Sequence, residues 1–132
     1  MDFSHVNFMA VLVAAVSAFV VGAIWYGPLF SNPWQSLMGL SDEKINSGHP
    51  AMVFGPALLL TIVQAVALAT VIGPDAGAVG GLVTAISIAL AFVASAFGVN
   101  YLFARHPRQL FFIDAGYILL EFGVMGLIIG AW

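Results

Sequence analysis

Two carboxylates, Asp114 and Glu121, stand in the last apolar stretch of this chain, seven residues apart. At about 100° per helical residue, seven positions return to nearly the same azimuth, so both acids project from one face of one helix. A carboxylate amid hydrocarbon costs about 3 kcal/mol even on lenient scales, so such a residue binds an ion or proton, or meets a dedicated partner. Tyr117 lies between them on the same stripe. Gln64, near the centre of the second apolar stretch, and Asn100, near the end of the third, complete a polar intramembrane set. All three cations of the chain, Lys44, Arg105 and Arg108, fall between apolar stretches, so none is placed to neutralise the acids. Glu121 is therefore expected to be either a neutral hydrogen-bonding group between helices or a proton-binding site in a transport cycle.

Level along the helix suggests partners. Asn100 and Asp114 are equidistant from Pro107 in a short loop, which predicts a hydrogen bond between them across an antiparallel hairpin. Glu121 lies about 10 Å deeper, near mid-membrane, where Gln64 is the expected partner.

The elements that hold these residues follow from composition. The chain of 132 residues is 62% hydrophobic and 7% charged, against about 25% charged in a soluble domain. Mean hydropathy is +1.08. Four runs, about 6–26, 52–72, 77–103 and 110–131, are long and apolar enough to cross a bilayer. The expected fold is all-α: one domain over residues 1–132, a bundle of four transmembrane helices. Only the loop 27–51 is long, and it should carry a short interfacial helical segment between helices one and two. Asn32-Pro33 reads as its N-cap and first position, Gly39 as its stop, and Ser41 as the cap of a second short helix ending near Gly48. Pro28 should end or kink the first span. Because Lys44, Arg105 and Arg108 share one side, the positive-inside rule puts that side in the cytoplasm and both termini outside.

Tight turns at 73–77 and 104–108 make spans two and three, and three and four, expected antiparallel neighbours. Small residues recur every fourth position: Ala10, Ala14, Ala18 and Gly22; Ala57, Thr61, Ala65 and Ala69; Ser87, Ala91 and Ser95; Gly126 and Gly130. Such stripes let backbones approach closely inside lipid. The last helix carries Asp114, Tyr117, Glu121 and Met125 on one face and Gly116, Gly123 and Gly130 on the other, so both faces should be packed. Four short helices leave little to enclose it, which points to a homo-oligomer or a subunit of a larger membrane complex. Trp25, Tyr26 and Trp34 are expected at the cytoplasmic interface as part of an aromatic belt.

Several function classes drop out. With no cysteine there is no thiol chemistry or disulfide, and with a net charge of −3 and no basic patch, nucleic-acid binding is not expected. His5, His49 and His106 lack metal-ligand spacing, and no P-loop, dinucleotide fingerprint or nucleophile elbow occurs. No catalytic residue, metal or cofactor is expected.

The run Gly22-Ala23-Ile24-Trp25-Tyr26-Gly27-Pro28-Leu29-Phe30, with Trp34 and Met38-Gly39-Leu40-Ser41, resembles the opening of a bacterial family of small integral membrane proteins, domain of unknown function 1761. Asn7 before the first span, Asp114-Ala115-Gly116-Tyr117, Met125-Gly126 and Trp132 are similar to the same family. The resemblance implies a multi-pass protein of the bacterial cytoplasmic membrane and no particular activity. Three functions compete: a small oligomeric transporter or channel with a membrane-embedded carboxylate site; a non-catalytic accessory or scaffold subunit; and a lipid- or quinone-binding protein.

Overall fold

Asn7 starts the first span. Its side-chain oxygen accepts the backbone N–H groups of Met9 and Ala10, two donors that the helix leaves free at its N-terminus. The computed structural model describes residues 1–132, and every regular element in it is helical. Four helical spans are long and apolar enough to cross a membrane: Phe8–Leu29, Ala51–Val71, Gly77–Phe103 and Arg108–Ala131. Only 24 of 132 residues are buried, 13 of them Ala or Gly, while Leu, Val, Ile and Phe side chains cover the outside. A small-residue interior under an apolar surface suits lipid as solvent, where close backbone packing rather than water expulsion joins helices.

Span four is the central element. It packs along span three on one side and span one on another, and span two leans on span one with a lesser contact to span four. The spatial order is thus two, one, four, three. The expected side-by-side pairing of spans two and three does not occur, although a short turn joins them. That turn instead passes the end of span four, where Gly73 and Pro74 share a cavity wall with Ile129 and Trp132. A turn sets the level of two helix ends; which helices lie together is decided by matching faces.

The best-matched faces are glycine seams. Gly77 and Gly81 of span three lie against Gly126 and Gly130 of span four so closely that a Cβ on Gly81 would overlap the Gly126 carbonyl oxygen, and one on Gly130 would lie 2.9 Å from Gly81 Cα. Residues 126 and 130 thus meet another helix as expected, but a helix of the same chain. In span one Ala10, Ala14 and Ala18 are buried as expected, and in span two Thr61, Ala65 and Ala69. Ala14 and Ala18 share one packed cluster with Ala65 and Ala69.

Span three departs from its expected stripe. Ser87, Ala91 and Ser95 are exposed; the buried series is Gly81, Ala85, Ala89 and Ala94. The spacing is four, four, then five, because residues Ala89–Ala94 form a π-helical turn. Such a turn accommodates one extra residue, so everything beyond it lags by about 100° of helical phase.

Span one also ends in a π turn, Trp25–Leu29, which contains Pro28. Phe30 N–H donates to the Trp25 carbonyl at 2.9 Å, a five-residue step. Pro28 thus falls where the span ends: the regular α-helix passes into the π turn after Ile24, the wider turn absorbs the proline ring and missing N–H, and the span stops one residue later at Leu29. The short helix Ser31–Met38 follows at once, two residues before the expected Asn32-Pro33 start, since the π turn leaves only Phe30 between the two. Gly39 stops it at φ 68°, a left-handed position that favours glycine. Ser41 Oγ caps the next helix, Asp42–Ile45, accepting Lys44 N–H at 3.2 Å. Ser31–Met38 folds back onto span four.

Candidate functional site

Asp114 sits 7% exposed at the bundle end that carries the two short helices. Each of its carboxyl oxygens accepts one phenol: Tyr26 Oη donates to Oδ1 at 2.5 Å, and Tyr101 Oη donates to Oδ2 at 2.5 Å. Tyr26 comes from the π turn of span one and Tyr101 from the last turn of span three. One carboxyl group thus binds three spans together, and both of its oxygens are satisfied without any cation.

Around it the aromatics interlock. Trp25 Nε1 donates to the Ile113 carbonyl at 3.0 Å, one residue before Asp114. The Trp25 indole lies over Gly116, where a Cβ would come within 2.9 Å of the ring. Gly22 opens space for Tyr117, whose hydroxyl reaches toward the Ala18 carbonyl at 3.5 Å. Tyr26 meets Tyr117 edge-on at 5.1 Å and Trp34 of the short helix at 5.5 Å. Tyr101 packs edge-on to His106 at 5.0 Å. Trp25, Tyr26 and Trp34 are thus half-buried parts of an interhelical cluster, beyond the surface belt expected of them.

Two expected pairings fail here. Asn100 is exposed and does not bond Asp114; Tyr101 takes that place. The one-residue π turn at Ala89–Ala94 is the cause, since it puts Tyr101 at the azimuth Asn100 would hold in an uninterrupted α-helix. Gln64 does not satisfy Glu121 either: its Oε1 is buried with no hydrogen-bond partner. Glu121 is 5% exposed, one helical turn past Tyr117, which is its polar neighbour. Asp114, Tyr117 and Glu121 do share an inward-facing stripe as the spacing predicts. Tyr26 and Tyr101 are the partners that sequence reasoning missed, and their one signal is a phenol at the same level as Asp114.

Along the outer side of span four runs an open, apolar trough of about 390 Å³, bounded by Trp25, Leu82 and Ile86. Two of the segments that carry the family resemblance, Gly22–Phe30 with Trp34 and Asp114–Tyr117, lie face to face in the cluster just described.

Fold and site together define a small helical membrane protein of four spans, tied at one end by a buried carboxylate. Residues 9–130 match the model of the protein family of unknown function DUF1761, and the chain belongs to that family. Neither the curated proteins nor the solved structures contain a match.

Proposed function

We propose that this chain is a non-catalytic membrane scaffold or accessory subunit, with its buried acids serving as interhelical ties. The observation that carries this reading is the Asp114 carboxyl: both oxygens are taken by phenols from two other spans. A phenol from another span on each oxygen of a carboxyl that is 7% exposed favours a structural tie over a substrate-binding group. The proposal includes an orientation with Lys44, Arg105 and Arg108 in the cytoplasm and both termini outside, on the positive-inside rule. It also includes association with a second copy or a larger complex through the lipid-facing surface, since the seam at Gly126 and Gly130 is filled within the chain.

A second reading, transport through a Glu121 site, is favoured by one observation. Gln64 carries a buried amide oxygen without a partner, and Glu121 has no cation beside it, so the bundle holds polar capacity that its packing does not use. Two substitutions separate the readings in purified protein and in proteoliposomes. As a tie, Glu121→Gln keeps thermal stability while Glu121→Ala loses it, and neither alters proton flux. As a transport site, Glu121→Gln keeps stability and abolishes pH-dependent flux, because glutamine preserves shape and hydrogen bonding but cannot titrate. Wild-type stability in Glu121→Ala, with no flux in either protein, rejects both roles.

A further inference from the structure

At the bundle end opposite Asp114, the segment before span one packs Val6 against the core and makes one side-chain hydrogen-bond contact to another span, through His5. His5 Nε2 lies 3.0 Å from the carbonyl oxygen of Ala69, and His5 Nδ1 lies 3.6 Å from Oδ2 of Asp2. Both neighbours are acceptors. Ala69 belongs to the last turn of span two, whose carbonyls have no helical N–H to receive and which carries the negative end of the helix dipole. The backbone N–H of Ser4 donates to Asp2 Oδ1 at 2.9 Å and, with His5 adding to it, holds the Asp2 carboxyl below the usual carboxylate range. Asp2 is therefore an anion throughout the range in which imidazoles titrate.

A neutral imidazole has one N–H and so can donate to only one of these two acceptors. An imidazolium has two and can donate to both. We propose that His5 is a proton-operated latch, which on protonation fastens the segment before span one to the C-terminal end of span two. No other charged side chain lines the cavity beside His5. Span one presents Ala10, span two Ile72, the turn Pro74, and span four Ile129 and Trp132, around a cavity of about 210 Å³. Asp2 is the one titratable group paired with the ring; Asp75, the next acid of the adjoining turn, is exposed. The sign follows from donor count: the latch tightens as the compartment facing the termini becomes acidic and loosens as it becomes neutral. This inference is independent of the role assigned to Glu121.

The absence of other thiols makes a direct test available, since Ser4→Cys gives a single attachment point. The Ser4 N–H that binds Asp2 is a backbone group and survives the substitution. A nitroxide at that position, on the full chain in liposomes, is expected to shift toward its immobilised component as the buffer is taken from about pH 8 to about pH 5. With His5→Gln, which donates without titrating, the spectrum is expected to be the same at both ends. Asp2→Asn should shrink the shift, because the second acceptor loses its charge. A spectrum independent of pH with His5 present overturns the latch, as does an equal shift with His5→Gln. Thermal melts of each variant, taken alongside, identify any loss of the whole fold.

Discussion

The most informative single side chain is Tyr101, because its neighbour Asn100 has the type that reasoning from the sequence selects. An amide facing a carboxylate at the same level is a sound expectation, but a phenol is the group actually there. Tyr101→Phe removes one donor from a buried acid and should cost about 1 kcal/mol, in the range of polar contacts between membrane helices. Asn100→Ala, at an exposed position, should stay within about 0.5 kcal/mol. Reversible unfolding in mixed micelles measures both, and equal losses would contradict the assignment. Tyr26→Phe should resemble Tyr101→Phe, and the double variant should lose more than the sum, because both phenols share one carboxyl group.

At the scale of elements, the π turn in span three and the glycine seam decide what meets what. The turn at Ala89–Ala94 holds one residue more than an α-helix would, so deleting Ala91 should straighten the span and leave Tyr101 facing Asp114. Inserting an alanine after Ala91 should instead carry Tyr101 a further 100° or so away and forfeit the bond. In the deletion protein Tyr101→Phe should still cost about 1 kcal/mol, and in the insertion protein nothing. The seam makes a different demand. A side chain at Gly126 would meet the Gly81 carbonyl oxygen and Ala85 Cβ, so Gly126→Leu should destabilise by at least the 1–3 kcal/mol or so typical of overpacking. That loss should appear in protein diluted to one chain per micelle, since the seam lies within a chain. A loss seen only on assembly would place the seam between copies instead.

For the whole molecule, the four spans put the short helices and the loop at 104–107 at one end and both termini at the other. Reporter fusions at the C-terminus are expected to be active only outside the cytoplasm; a cytoplasmic signal would overturn the proposed orientation. The number of spans, their approximate limits, the all-α class and the family were legible from the chain because they depend on sums. Hydropathy over some twenty residues barely changes when one side chain turns away, and Asn7, Gly39 and Ser41 act through local backbone geometry that a few residues specify. The inward stripe of Asp114, Tyr117 and Glu121 was legible for a related reason, since an unbroken helix preserves its phase. Partner choice is different. Whether Asn100 or Tyr101 reaches Asp114 depends on a single extra residue six or more positions upstream. Which spans lie together depends on how glycine and alanine faces fit, and the turn between spans two and three does not dictate it. Contacts across helices require azimuth and register to be right at once on both partners, and only the packed tertiary structure fixes both.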